Sequence, residues 1–216
     1  MRLTSSCFED DGRIPQECAF AAPHPETRIG LSRNLNPALA WSGLPAGTKS
    51  LVVICHDPDV PSVLDDFNRE GRVVSAAVPR IDLYHWALVD LPPELPGIGK
   101  GEFSDAVVPR GKPGPDAPHS TRQALNDYTQ WFVGDEHMAG QYFGYDGPCP
   151  PWNDEIPHRY VFTLYALDIA KCPVSGTFGA RDVVEAIRPH VLAEATLTGR
   201  YTLNPDVALC GAEAGA

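Results

Sequence analysis

Residues 160–167 read YVFTLYAL, a run rich in aromatic and β-branched residues that predicts a β-strand. Three other runs also predict strands: LVVIC at residues 51–55, HWALVDL at 85–91 and TGRYTL at 198–203. Because LVVIC is apolar without interruption, it is typical of a strand that is buried on both faces. Together these runs predict a mainly β protein.

The 19 Gly and 22 Pro residues among 216 favour the same fold class, because so many helix breakers exclude a helical bundle or a coiled coil. One helical pattern remains at residues 180–195, where apolar residues recur at helical spacing from Val183 to Leu192. Pro189 cannot donate a backbone hydrogen bond, so we expect a break near Arg188 and a second short helix beginning there. The helix is expected to pack outside a β-sandwich.

The formal net charge of −11 gives an acidic surface, which repels phosphate backbones and anionic membranes at long range. Nucleic acid is therefore not expected as a partner. No apolar run approaches the ~20 residues of a transmembrane helix, and residues 1–10 lack the apolar core of a signal peptide. The sequence thus predicts a cytoplasmic protein whose six cysteines are reduced and mostly buried.

Length and composition predict a single domain over residues 1–216, since no linker divides the chain. Two long stretches without clear periodicity, residues 62–84 and 97–144, separate the predicted strands. Such stretches are often lids or interaction loops, although plain surface insertions explain them equally well. The second stretch carries an acidic, aromatic piece, DYTQWF at residues 127–132.

Several common catalytic signatures are absent. The sequence contains no Gly-x-Ser-x-Gly elbow, no Gly-Lys-Ser/Thr phosphate loop, no Gly-x-Gly-x-x-Gly fingerprint and no His-Glu-x-x-His motif. These absences argue against the most frequent hydrolase, nucleotide-binding and zinc-peptidase designs.

Polar side chains instead adjoin the predicted strand ends. Asp57 and Asp59 follow the strand at residues 51–55, whereas His85 and His158 open two later strands. Because loops gather on one rim of a sandwich, we expect these four side chains to converge in one pocket. Taken singly, each also has a structural explanation, since aspartates cap turns and a lone histidine is more often structural.

A rigid segment, GPCPP at residues 147–151, lies shortly before His158. Its prolines fix the backbone and remove donors, which suits the wall of a preformed pocket.

Four motifs occur in order along the chain: DPDVP at residues 57–61, HW at 85–86, GPCPP at 147–151 and HRY at 158–160. In this order they resemble the motifs of the phosphatidylethanolamine-binding protein family. Residues 36–50, 190–195 and 199–201 are similar to its bacterial and archaeal branch, often labelled Raf kinase inhibitor-like. The resemblance covers nearly the whole chain.

This resemblance implies a Greek-key β-sandwich with a few peripheral short helices and a small anion pocket at one end. The ligand-binding residues that it implies are Asp57, Asp59, His85, Pro150, Pro151, His158 and Tyr160. No catalytic residue, metal or cofactor is implied. The stretches near residues 62–84 and 97–144 are longer than in compact members, so we interpret them as insertions.

Charge restricts the ligand that such a pocket could hold. Two histidines can donate to a phosphate, and nearby aspartates are expected to raise the pKa of both. The same aspartates repel an ionised phosphate unless they bind an amine on the ligand. A zwitterionic headgroup such as phosphoethanolamine meets both demands.

The leading hypothesis is therefore a non-enzymatic binding protein for a small anionic or phosphate-bearing ligand. Regulation of a kinase or protease and a homodimer are left open. The alternative is a metal-assisted hydrolase that uses the Asp/His cluster. A third interpretation, a regulatory interaction module, assigns the function to the two long stretches.

Overall fold

Strands dominate the computed structural model, which describes residues 1–209. The strands are β1 (Arg2–Thr4), β2 (Gly12–Arg13), β3 (Ala21–His24), β4 (Arg28–Leu31), β5 (Leu39–Ser42), β6 (Ser50–Pro61), β7 (Arg80–Leu91), β8 (Gly97–Ile98), β9 (Asp116–Ala117), β10 (Thr121–Gln123), β11 (His158–Leu167) and β12 (Val191–Tyr201). The helices are α1 (Tyr128–Trp131) and α2 (Ala180–Ile187), with 3₁₀ turns at Gln16–Cys18, Pro118–Ser120 and Arg188–His190. The prediction of a mainly β protein with a few short helices is confirmed.

A seven-stranded sheet forms the centre of the fold, in the order β2-β12-β11-β6-β7-β10-β9. Its long neighbours β12, β11, β6 and β7 pair antiparallel. A second sheet has the order β1-β5-β8, and β3 pairs with β4 as a separate hairpin. The Greek-key connection of a sandwich stays a prediction.

The central strand β6 is buried on both faces. Val53 belongs to the core between the large sheet and the strands β1, β5 and β8. Val52, on the opposite face, belongs to a second core with Val183 and Ile187 of α2. The uninterrupted apolar run therefore has the predicted structure, and α2 covers the outer face of the large sheet.

The predicted ends of two strands are wrong. Pairing of β6 with β7 continues past Cys55, with register shifts after Cys55 and between Asp57 and Val60. Such bulges accommodate Pro58, which has no N–H to give to a regular ladder. Asp57 and Asp59 consequently lie within β6 rather than in a following turn, and His85 lies inside β7 rather than at its start.

The predicted helix over residues 180–195 is too long. It ends at Ile187, and a 3₁₀ turn containing Pro189 follows. From Val191 the chain is a strand that pairs with β11 along its whole length, so the closing strand is longer than residues 198–203. Pro189 ends the helix as expected, but pairing with a neighbouring strand determines the conformation after it.

Five cysteines are free thiols: Cys7, Cys18, Cys55, Cys149 and Cys172. Cys210 lies outside the described residues. Within residues 1–209 no helix is long and apolar enough to cross a membrane. The cytoplasmic location stays a prediction.

Candidate functional site

A cavity of about 120 Å³ lies where β6, β7 and β11 meet the segment before β11. Its lining residues are Phe20, Asp57, Val60, Phe67, Asn68, Leu83, His85, Tyr128, Trp131, Phe132, Cys149, Pro150, Pro151, His158 and Tyr160. All of the residues expected at the site line this cavity except Asp59. Both Pro150 and Pro151 belong to the lining.

Asp59 is directed elsewhere, which corrects the expectation that it shares the pocket. Its carboxylate accepts hydrogen bonds from the Arg159 backbone N–H, Nε and Nη2 at 2.9, 2.9 and 2.7 Å. Burial alone would raise the pKa of Asp59, but the bonds from Arg159 lower it. Residues two apart share a face in a regular strand, whereas the register shift after Asp57 breaks that alternation.

His158 is held between two carboxylates. Its Nδ1 lies 2.7 Å from Asp57 Oδ2 and its Nε2 lies 3.1 Å from Asp154 Oδ2. Carboxylates only accept hydrogen bonds, so both ring nitrogens carry protons and the ring is an imidazolium. Burial opposes this charge, but Asp57 and Asp154 outweigh it and raise the pKa of His158 to about 9.

Asp154 is a site residue that sequence reasoning missed. It accepts two hydrogen bonds from Arg80, at 2.6 Å from Nη1 and 3.0 Å from Nη2, in addition to the bond from His158. Burial would raise the pKa of Asp154, but these bonds lower it. Asp57, His158, Asp154 and Arg80 therefore form a row of alternating charges whose sum is zero.

His85 has the opposite protonation state. Its Nδ1 lies 2.7 Å from the backbone carbonyl of Asp146, so Nδ1 carries the proton and donates. Burial lowers the pKa of His85 and outweighs the opposing effect of Asp57. The ring is neutral at pH 7, and its Nε2 offers a lone pair. The expectation that nearby aspartates raise the pKa of both histidines is thus wrong for His85.

The Tyr160 hydroxyl is buried and lacks a hydrogen-bond acceptor of ordinary geometry among residues 1–209. Burial and then Asp57 keep its pKa well above the usual value, so the group stays protonated. Cys149 carries the one amide N–H of residues 148–151, and no acceptor for it is found within residues 1–209. The Cys149 side chain is a thiol, since burial raises its pKa to about 12.

Aromatic side chains form the outer walls, and sequence reasoning missed them as well. Phe67 comes from the first long stretch, and Tyr128, Trp131 and Phe132 come from α1 and the residue after it. Phe20 stacks on Tyr128 with ring centroids 4.9 Å apart. The two aperiodic stretches therefore contribute directly to the cavity, and their aromatic residues within polar sequence were the available signal.

A buried polar network fixes the wall formed by residues 145–151. Asp146 accepts hydrogen bonds at 2.7 Å from both Asn34 Nδ2 and Asn126 Nδ2, and its Oδ2 lies 3.0 Å from Lys112 Nζ. The Asp146 backbone forms two hydrogen bonds with His85. The Asp146 N–H donates to the His85 carbonyl, and the Asp146 carbonyl accepts from the His85 ring. This network orients His85 and sets which of its nitrogens faces away from the wall.

The metal-assisted hydrolase finds no support in this geometry. Within the part of the chain that the structure describes, no group of three or more His, Cys, Asp or Glu side chains is arranged to hold a metal ion. Both nitrogens of His158 face carboxylates, so neither offers a lone pair to a cation.

Comparison with known proteins adds independent information. Residues 4–202 match the family model described as phosphatidylethanolamine-binding protein. The UPF0098 protein of Methanothermobacter thermautotrophicus is 32% identical over 201 residues, which cover 93% of this chain and 98% of that protein. The UPF0098 protein YbhB of Escherichia coli is 29% identical over 203 residues, which cover 94% and 100% of the two chains.

Two solved structures are similar in fold. CT736 of Chlamydia trachomatis, described as a phosphatidylethanolamine-binding protein homologue, has a TM-score of 0.61 at 26% identity, covering 93% of this chain and 95% of its own. YbcL of Escherichia coli has a TM-score of 0.64 at 24% identity, covering 93% and 97%. The second similarity concerns the fold alone.

Proposed function

The chain belongs to the phosphatidylethanolamine-binding protein family, and from this premise we propose that it binds a small phosphate-bearing ligand without catalytic turnover. The cavity lined by Asp57, His85 and Tyr160 is the binding site. The observation that carries the proposal is the Tyr160 hydroxyl, which is buried at this cavity and has no hydrogen-bond partner of ordinary geometry among residues 1–209. A buried polar group without a partner costs about 1–3 kcal/mol, and a ligand oxygen would remove that cost.

The neighbouring groups suit one oxygen-rich anion that carries a proton. The Tyr160 O–H can donate to a phosphate oxygen, whereas the neutral His85 offers an acceptor at Nε2. A phosphate monoester has a second pKa near 6, so its monoanion can donate a P–OH to that nitrogen. Alternatively the ring itself takes the proton and donates. In both cases one proton lies between His85 and the ligand.

His158 contributes indirectly. Its two N–H groups already bind Asp57 and Asp154, so it holds Asp57 in place and compensates its charge. The Asp57 carboxylate still adds negative charge to the lining, which favours a ligand that carries a cation as well as a phosphate. This division of roles replaces the expectation that both histidines donate to the phosphate.

Affinity for phosphoethanolamine is expected to increase by about threefold to tenfold between about pH 7.5 and about pH 5.5. The reason is the proton that His85 and the ligand share. Because burial lowers the pKa of His85 below its usual value, His85 takes up a proton only on the acid side of about pH 6.5. His158 does not titrate in this window, because its pKa is about 9. Isothermal calorimetry over the pH series measures the effect.

Sulfate and a chelator provide the controls. Sulfate carries no proton in this pH range, so its affinity should follow the protonation of His85 alone. A chelator should change neither titration. Affinity that increases with pH and disappears with chelator would favour a metal site instead, and absence of binding at every pH would remove the proposal.

A protein partner such as a kinase or a protease belongs to this proposal as a second step. Occupancy of the cavity changes the surroundings of Phe67 and Trp131, whose rings contact each other at a centroid distance of 5.2 Å. Both residues come from the long segments at residues 62–84 and 97–144. A partner that binds these segments would therefore contact side chains whose surroundings change when the ligand binds. A homodimer stays a prediction.

A further inference from the structure

Aromatic rings are prominent in the lining of the cavity, which includes five of them besides Tyr160. Phe67 and Trp131 form one contact pair, and Phe20, Tyr128 and Phe132 form a packed cluster with centroid distances of 4.9 to 5.9 Å. Trp131 is 39% exposed, whereas Tyr128 is buried. The rings therefore extend from the solvent inward towards Asp57 and Tyr160.

The charges around these rings favour a cation. Among the described lining residues there is no Lys or Arg, and the one cation, His158, is bonded to two carboxylates. Asp57 adds a carboxylate to the lining, and the whole chain carries a net charge of −11. The face of an aromatic ring is itself electrostatically negative and attracts cations.

The hydrogen-bonding capacity of the outer walls determines which kind of cation fits. A primary ammonium has three N–H donors, and each needs an acceptor when it leaves water. Asn68 Oδ1, a carbonyl oxygen of the lining, already accepts from the Trp152 backbone N–H at 2.9 Å. Aromatic rings offer no comparable acceptors, whereas a trimethylammonium group has no N–H and needs none.

We propose that the preferred ligands are phosphate esters of trimethylammonium alcohols, as in phosphocholine, with the methylated cation against the rings of Trp131, Phe132 and Phe67. This inference rests on the proposed phosphate site and specifies the other end of the ligand. The same chemistry occurs in a free ester and in a lipid headgroup.

The test compares phosphocholine with 3,3-dimethylbutyl phosphate, which has the same shape with carbon in place of the charged nitrogen. Calorimetry at about pH 6 should give phosphocholine an affinity about threefold to tenfold higher than that of this isostere, and higher than that of phosphoethanolamine. Trp131→Leu keeps an apolar wall but removes the ring, so it should reduce this preference to within about twofold. Val133→Ala, an exposed position outside the lining, should leave the preference unchanged.

The outcomes separate this inference from the proposed function. Equal affinities for phosphocholine and its isostere, or a preference that survives Trp131→Leu, would overturn the trimethylammonium assignment and leave the phosphate site intact. No binding of any of the three esters would overturn both. Sedimentation with phosphatidylcholine vesicles distinguishes the sources: binding that phosphocholine displaces indicates a lipid headgroup, and binding of the soluble ester alone indicates a free metabolite. Either result supports the inference.

Discussion

Replacement of His158 by Gln is expected to lower the free energy of unfolding by about 3–5 kcal/mol. The imidazolium lies between Asp57 and Asp154, and all three side chains are buried. Gln supplies a neutral amide, so Asp57 loses the cation that compensates its charge, and Asp154 keeps only Arg80. Buried charges without a partner are among the few causes of losses this large. Urea unfolding of the two proteins at about pH 6–7 measures the difference.

The ion pairs of His158 with Asp57 and Asp154 also make the free energy of unfolding depend on pH. The pKa of His158 is about 9 in the folded protein and ~6.5 in an unfolded chain. Its contribution is therefore complete below about pH 6.5 and is lost as the pH rises through about 9, with a total of about 3 kcal/mol. The difference in stability between wild type and His158→Gln should shrink across this window.

His190 offers a matched control. It pairs with Asp168 at 3.0 Å, but both side chains are substantially exposed. His190→Gln should therefore change the free energy of unfolding by less than about 1 kcal/mol. Similar decreases in the free energy of unfolding for His158→Gln and His190→Gln would contradict a buried imidazolium at His158.

Tyr160→Phe is expected to reduce the affinity for phosphoethanolamine by about tenfold to a hundredfold while leaving stability unchanged or slightly higher. The hydroxyl is buried and has no partner of ordinary hydrogen-bond geometry in residues 1–209, so its removal should cost the fold little. A hydrogen bond to a charged phosphate is worth about 1.5–3 kcal/mol, which corresponds to the stated loss. Calorimetry with ligand and urea unfolding measure the two effects.

Tyr145→Phe is the matched control for this substitution. Tyr145 is equally buried, but its hydroxyl donates to the Cys18 carbonyl at 2.7 Å and it does not line the cavity. This variant should lose about 1 kcal/mol of stability and bind the ligand normally. The reverse pattern, with affinity lost in Tyr145→Phe and kept in Tyr160→Phe, would exclude the Tyr160 hydroxyl as a ligand contact.

The core of the fold could be predicted because its signal is local. An uninterrupted apolar run such as residues 51–55 fits few environments other than a strand covered on both faces, and Val52 and Val53 indeed point into different cores. Pro58 favours a strand that ends before it, because proline usually interrupts a ladder. Tertiary pairing with β7 keeps this segment in the sheet through a bulge, and that same bulge turns Asp59 away from the cavity.

The electrostatics of the site could be predicted only in part. The rise in the pKa of His158 follows from nearby aspartates, but Asp154 had no recognisable pattern to link it to Asp57. At His85 burial outweighs the carboxylates and its direct partner is a neutral carbonyl, which no spacing in the sequence reveals. The aromatic walls come from Phe67 and Trp131 in aperiodic stretches, so only the folded chain brings them together.

The central claim is that a phosphate-bearing ligand binds next to His85, and histidine ring resonances measured by NMR test it most directly. A titration of the protein with and without saturating phosphoethanolamine gives the pKa of each ring in both states. Because binding and protonation are linked, the account predicts that the ligand raises the pKa of His85, while His158 stays protonated up to about pH 9 in both states. An unchanged pKa of His85 in the presence of bound ligand would contradict it.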